Sequence, residues 1–194
     1  STDIACEVAS MGVQIHGGMG FVEETGAAQY YRDARILPIY EGTNGIQAID
    51  LVTRKLPLDN GDVLKTYISE LEATAEEVRR SNTPEFGRMG ERLEAAIGAL
   101  GSASQWMGEA LKSNPDAALA GATPYLRLFG LAAGGTYLAR NALHLARSGK
   151  AGAPAVATAR FFAENLAVAA PALSRTVMES SESVLAVSAE ALAG

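Results

Sequence analysis

The stretch 62–80 reads DVLKTYISELEATAEEVRR and sets the pattern for most of the chain. Its apolar side chains recur at steps of three and four residues: Leu64, Ile68, Leu71, Ala75 and Val78. Steps of this length place side chains on one stripe of an α-helix, while the charged residues between them face elsewhere. The stretch therefore predicts an amphipathic helix, over residues 62–81, that buries its stripe in a helical core.

The same pattern continues towards the carboxyl end. We predict further helices at 87–113, 117–148 and 153–191, separated by short segments rich in proline, glycine or asparagine. Aromatic residues make up only 6% of the chain, and alternating runs of β-branched and aromatic residues, which mark strands, are missing. Four long helices with short connections indicate an up-and-down bundle. The predicted fold is all-α.

Shorter helices are predicted before this bundle, at 2–12, 24–34 and 43–55. A glycine-rich segment, QIHGGMGF at 14–21, ends the first of them because three glycines in four positions disfavour a helix interior. Around Pro38 we expect an extended linker. The turn-forming segment LPLDNG at 56–61 is the predicted boundary, so that residues 1–57 and 58–194 form two domains.

Composition excludes several classes of function. The net charge of −6, without a long basic stripe, argues against nucleic-acid binding. One cysteine, Cys6, and two distant histidines make neither a disulfide nor a zinc site, so no metal is expected. No apolar run reaches the length of a membrane span, and because the start, Ser1-Thr2-Asp3, lacks a basic region followed by an apolar core, we expect no signal peptide. We expect a cytoplasmic, reducing location.

Two segments could carry chemistry. The glycine-rich turn could be only a helix breaker, or it could bring bare backbone against a phosphate or a flat ring; it lacks the preceding strand that a dinucleotide fingerprint requires. In the segment YEGTN at 40–44, the carboxylate of Glu41 emerges from a loop just before a helix that Thr43 could cap. Glu41 could instead serve only to complement the helix dipole.

Taken together, the ordered motifs QIHGGMGF, YYRDARI and PIYEGTNGIQ resemble the acyl-CoA dehydrogenase family. The resemblance is dense over residues 1–56. The rest of the chain is similar, more loosely, to the helical extension of the larger bacterial members, those like 3-methylthiopropionyl-CoA dehydrogenase. The expected fold is thus the end of that family's carboxyl-terminal helical domain, followed by a four-helix extension.

The resemblance implies that Glu41 is the general base that removes the α-hydrogen of an acyl-CoA, while the β-hydride passes to a flavin. In the family, the backbone N–H at this position also binds the thioester oxygen. Tyr40 and Gly42, on either side of Glu41, are the expected substrate contacts.

The resemblance also implies flavin adenine dinucleotide (FAD) as cofactor. Its adenosine end should meet Gln14, Gly17 and Gly18 across a subunit interface, and a flavin phosphate should meet Thr43. The chain departs from the family at one position, because Gly45 stands where many members carry glutamine; Asn44 is a candidate substitute. The implied partners are an acyl-CoA substrate, an electron-transfer flavoprotein or similar acceptor, and further copies in a homo-oligomer.

Other notable residues have simpler expected roles. Arg32 and Asp33 should form a local ion pair before the catalytic loop, and His16 should pack. The family also needs an amino-terminal helical domain and a β-domain that these residues cannot build, so we expect the chain alone to be inactive. The alternative function is a non-catalytic helical module for oligomerisation or interaction.

Overall fold

A computed structural model describes residues 1–81, 83–148 and 153–192 of the 194-residue chain. Every regular element in these ranges is helical, which confirms the all-α prediction. The chain divides into two compact units, Ser1–Ala48 and Ile49–Gly194. None of the described helices is both long and apolar enough to cross a membrane.

The first unit is built on a pair of packed helices, α1 (Thr2–Ile15) and α3 (Ala27–Ile36). Between them lie α2 (Gly18–Phe21) and a 3-10 turn at Glu23–Thr25. A fourth helix, α4 (Asn44–Asp50), begins in this unit. Although α1 is amphipathic, none of its residues is buried. The helix α1 ends at Ile15, three residues after the predicted end at residue 12. The glycine-rich turn follows it at Gly17, whose φ of 62° is not helical.

A π-helical turn, Leu51–Lys55, continues from α4. Its i→i+5 spacing is visible in the bond from the Leu56 N–H to the Leu51 carbonyl at 2.8 Å. The same spacing brings the Lys55 ammonium 2.9 Å from the carboxylate of Asp50. The hydrogen bond from Lys55 lowers the pKa of the Asp50 carboxyl, with a further contribution from Arg54.

The second unit contains the long helices α5 (Asp62–Arg80), α6 (Met89–Ser113) and α8 (Ala122–Arg147). Shorter helices complete it: α7 (Pro115–Ala120), α9 (Ala153–Asn165), α10 (Ala170–Glu179), α11 (Ser181–Leu185) and α12 (Ala189–Leu192). Both α5 and α10 pack on α6 and α8, and α9 packs on α8. The predicted bundle is thus present.

The core of this unit lies where α5, α6, α8 and α10 meet. Its largest fully buried side chains include Leu71, Leu93, Ile97, Leu100, Met107, Tyr125, Leu128 and Val177. The carboxyl-terminal half of the predicted α5 stripe is buried, whereas Leu64 and Ile68 are half-buried. The hydroxyl of the buried Tyr125 lies 2.8 Å from the Ser104 hydroxyl, so its burial leaves no unmet hydrogen bond.

Two of the long predicted helices are broken. Residues 117–148 divide at Gly121, where a Cβ would lie 2.9 Å from the carbonyl oxygen of Val177. Residues 153–191 divide after Asn165, because Pro171 lacks an N–H and stands in the first turn of a new helix, α10. The predicted connection at Asn82, and residues 149–152 of the connection after Ser148, lie outside the described residues.

The boundary between the units differs from the predicted one at residue 57. Val52 is completely buried and Leu56 nearly so, and the turn that carries them contacts α8. A Cβ on Gly108 of α6 would be 3.9 Å from Leu56 Cδ2. These contacts show that residues 49–57 pack against the bundle. Whether the bundle folds without them is not settled by packing, so the domain boundary at residue 57 stays a prediction.

We expect the bundle to unfold cooperatively on its own, in chains that start either at Ile49 or at Asp59. The longer chain should be more stable by roughly 3 kcal/mol, because it keeps the burial of Val52 and Leu56, partly offset by the entropy of ordering the turn. Urea unfolding followed by circular dichroism measures both. Equal stabilities would support the boundary at residue 57, and a helical but non-cooperative Asp59 chain would refute it.

Candidate functional site

The turn between α3 and α4 carries Glu41. Ile36, the last residue of α3, accepts hydrogen bonds from the N–H groups of Ile39 and Tyr40 at 3.0 and 3.2 Å. The N–H of Asn44 then donates to the Pro38 carbonyl at 3.2 Å, which closes the turn. Leu37 is right-handed helical, so the extended linker predicted around Pro38 is wrong. The helical bonds outweigh the bias that proline imposes on the preceding residue.

Glu41 has a backbone conformation that is uncommon for its residue type. Its φ is 55°, and the next residue, Gly42, has a φ of 87°. A non-glycine residue with positive φ is sterically disfavoured, and such residues cluster at functional sites. The Glu41 side chain is exposed, and it belongs to none of the ion pairs found among the described residues. A strained turn therefore presents a carboxylate that no cation of the described residues neutralises.

Gly42 fits this turn for two reasons. Its positive φ favours a residue without a Cβ. A Cβ there would also approach the Gln47 amide nitrogen and the Ile46 side chain, each at 3.3 Å. The backbone after Glu41 therefore passes close beneath two side chains of α4.

Thr43 caps α4, as its position suggested. Its hydroxyl oxygen accepts from the Ile46 N–H at 3.4 Å, and its carbonyl accepts from the Gln47 N–H at 2.9 Å. Asn44, the candidate substitute for a missing flavin contact, uses its side-chain oxygen within the unit: it accepts from the Thr2 hydroxyl at 2.9 Å. The start of α1 is thereby joined to the start of α4.

The glycine-rich turn lies at the other end of α1. Gln14, Gly17 and Gly18 are all exposed, and a Cβ on either glycine would meet nothing within 4 Å. Packing within this chain therefore does not require these two glycines, and their bare backbone is open to a flat or phosphorylated group from outside. Gly20 differs, because it is buried and a Cβ there would collide with the Val13 carbonyl.

The structure thus groups the predicted site residues in two places. Tyr40 to Thr43 share one turn, which lies near Thr2 at the start of α1 because Thr2 bonds to Asn44. Gln14 to Gly18 lie at the other end of α1, about twelve residues after Thr2. At 1.5 Å per residue, the helix separates the two groups by about 18 Å. They do not line one compact pocket in this chain.

Two lesser predictions about side chains are corrected. Arg32 pairs with Glu23 at 2.9 Å, while the carboxylate of Asp33 accepts from the Gln29 amide at 2.7 Å. The cause is helical geometry, since adjacent residues on a helix do not face each other. The His16 side chain is exposed, with its Nδ1 atom 2.8 Å from the Gly12 carbonyl, so it is not packed in this chain.

Sequence reasoning assigned no contact to Gln47, although this residue ends the motif PIYEGTNGIQ. Its side-chain amide donates to the Glu41 carbonyl at 2.9 Å, across six positions. Because α4 starts between the two residues, neither helical nor strand periodicity relates them, and no motif read from the residues alone marked this contact.

Family comparison accounts for both units. Residues 67–188 match the family described as "Acetyl-CoA dehydrogenase C-terminal like", and residues 1–56 match "Acyl-CoA dehydrogenase, C-terminal domain". The chain belongs to the acyl-CoA dehydrogenase family. The resemblance seen in the motifs is thereby confirmed.

Several relatives agree. A 3-methylmercaptopropionyl-CoA dehydrogenase of Ruegeria pomeroyi is 41% identical over 193 residues, which is 96% of this chain and 33% of the relative. A butyryl-CoA dehydrogenase of Syntrophomonas wolfei is 34% identical over 101 residues, 52% of this chain and 16% of the relative. The mitochondrial short-chain specific acyl-CoA dehydrogenase of Rattus norvegicus is 41% identical over 69 residues, 36% of this chain and 15% of the relative. The chain therefore spans a third or less of these relatives.

Replacing Gly42 by alanine should open the Glu41 turn, since it combines an unfavourable φ with two close contacts. A cost of about 1–2 kcal/mol corresponds to roughly 5–30-fold faster amide hydrogen exchange at Gln47, which donates to Thr43. Gly45→Ala is the matched control: a Cβ there meets only the Thr43 hydroxyl, at 3.8 Å, inside a helix, so exchange should be unchanged or slower. Equal behaviour of the two variants would contradict the role given to Gly42.

Proposed function

We propose that this chain is the carboxyl-terminal helical part of a flavin-dependent acyl-CoA dehydrogenase, in which Glu41 is the general base. The observation that carries the proposal is the conformation of Glu41: an exposed carboxylate with positive φ and no ion-pair partner, in a chain of this family. Such a carboxylate is free to accept a proton from a substrate placed above it. The reaction is α,β-dehydrogenation of an acyl-CoA thioester.

In this reaction the Glu41 carboxylate accepts the α-proton, and the α–β single bond becomes a double bond. The hydride acceptor for the β-carbon is supplied by FAD when it is bound. Because the turn is already formed by hydrogen bonds to Ile36 and Pro38, the carboxylate needs little reorganisation to reach its working position. Tyr40 and Gly42 flank it and are the proposed substrate contacts.

The open backbone of Gly17 and Gly18 suits the adenosine end of FAD, with Gln14 beside it. Thr43, whose hydroxyl already caps α4, is the proposed contact to a flavin phosphate. The separation of about 18 Å along α1 implies that the two groups touch either distant parts of one extended cofactor or two cofactors. Both arrangements agree with a site shared between subunits.

The exposed apolar face of α1 supports a larger assembly. Its side chains, Ile4, Val8, Met11 and Ile15, follow helical spacing, and Ile15 is 84% exposed. A continuous apolar stripe of this kind usually marks a surface that another protein segment covers. We propose that it is covered in the complete homo-oligomeric enzyme, which passes its electrons to an electron-transfer flavoprotein or a similar acceptor in the cytoplasm.

The chain alone should bind FAD weakly or not at all, because it supplies only one wall of the proposed site. Titration with micromolar FAD should leave the visible absorption bands of the flavin unchanged. The full-length enzyme, treated in the same way, is the positive control. Tight one-to-one binding by the isolated chain would contradict the proposal that its site is incomplete.

Replacing Glu41 by glutamine in the full-length enzyme should abolish turnover while keeping folding and FAD content. Glutamine keeps the size and hydrogen-bonding capacity of the side chain but cannot accept the α-proton. General-base catalysis typically contributes about 10²–10⁴-fold, and we expect a loss at or beyond the upper end. Reduction of the flavin by acyl-CoA in a single turnover measures the effect.

The matched control for this experiment is Glu24→Gln, which removes an exposed carboxylate elsewhere in the first unit. It should leave the rate unchanged. Binding of acyl-CoA to the Glu41 variant should still perturb the flavin absorption. A loss smaller than tenfold in Glu41→Gln would mean that another carboxylate is the base and would favour a scaffolding role for this chain.

A further inference from the structure

Gln47 is the only described side chain that hydrogen-bonds the backbone of Glu41. Its amide nitrogen donates to the Glu41 carbonyl oxygen at 2.9 Å, although six positions separate the two residues. The bond crosses from the end of the first turn of α4 back over the Thr43 cap. It therefore fixes one side of the peptide plane that joins Glu41 to Gly42.

This bond acts on a backbone that needs support. A non-glycine residue in the left-handed region is disfavoured relative to the right-handed one, so Glu41 would relax if nothing held it. The direction of the Cα–Cβ bond, and with it the position of the carboxylate, follows from this backbone conformation. The net stabilisation from a single neutral hydrogen bond is comparable to this conformational cost.

Gln47 can hold Glu41 because Gly42 leaves room for its amide and because the helix that carries Gln47 is anchored. On one side, Gly42 leaves space for the amide, since a Cβ there would lie 3.3 Å from the amide nitrogen. On the other side, the first turn of α4 is anchored by the Thr43 cap and by the bond between Thr2 and Asn44. The amide therefore reaches Glu41 from a helix that is itself tied to α1.

We propose that Gln47 is a positioning residue for the reaction: its amide holds Glu41 in the left-handed conformation that aims the carboxylate at the substrate. The inference rests on the proposed function of Glu41 as the base. Gln47 takes no part in proton transfer, and it acts only through the Glu41 backbone. Its loss should lower the rate of the chemical step without weakening the binding of acyl-CoA or FAD.

The test replaces Gln47 by methionine, which has similar length and no donor, in the full-length enzyme. We expect kcat to fall about 10- to 100-fold, the range for a small misplacement of a catalytic group. KM and FAD content should stay within about twofold. The matched control is Gln105→Met, the same change at an exposed position of α6, where kcat should not change.

A second measurement follows the turn itself, in the 194-residue chain and without any turnover. The Asn44 N–H, which closes the turn on the Pro38 carbonyl, should exchange with solvent about 5- to 10-fold faster in Gln47→Met, as expected for the loss of one hydrogen bond. Gln47→Glu, which replaces the donor by an acceptor, should exchange at least as fast. It serves as the second variant if the methionine variant folds poorly.

The outcomes separate this inference from the proposed function. A lower kcat with unchanged KM, together with faster Asn44 exchange, supports positioning by Gln47. An unchanged kcat, unchanged exchange, or a loss explained wholly by KM or FAD content overturns it. Activity in Glu41→Gln would overturn the proposed function instead. If Glu41→Gln is inactive and Gln47→Met is fully active, only the positioning role of Gln47 is refuted.

Discussion

Each long helix of this chain carries an apolar stripe, and the structure depends on where that stripe finds a partner. In the second unit α5, α6, α8 and α10 bury their stripes against one another around Leu71, Leu100 and Leu128. Apolar burial is the dominant favourable term in folding, so this unit has its own source of stability. The stripe of α1 stays exposed, which agrees with the proposal that another protein segment covers it in the complete enzyme.

The buried core and the predicted site lie in different units. The predicted site residues, together with Gln47, all lie in the first 47 positions, at the end of α1 and around the turn that leads into α4. The bundle contributes no cluster of acids, histidines or cysteines suited to a metal among its described residues. In the proposed assembly, the segment that covers α1 also completes the proposed site. This arrangement fits an enzyme whose active site forms between several segments.

Within the proposed site, the position of the Glu41 carboxylate depends on the backbone conformation of its turn. Glu41 and Gly42 both have positive φ, and the bonds to Ile36, Pro38 and Gln47 hold the turn that contains them. Strain of this kind persists only where the surroundings enforce it. The glycine that follows the carboxylate is thus required by geometry as well as by any contact with substrate.

The sequence by itself determined the all-α class, the positions of the long helices, the junction that carries Glu41, and the family, because helical periodicity and short motifs are local signals. Only the tertiary structure decided the breaks at Gly121 and before Pro171, the helical state of Leu37, the partner of Arg32 and the contact of Gln47 with Glu41. The physical reason is common to these cases. Each depends on how closely segments approach or which atoms a turn brings together, and a linear pattern of residue types does not encode those distances.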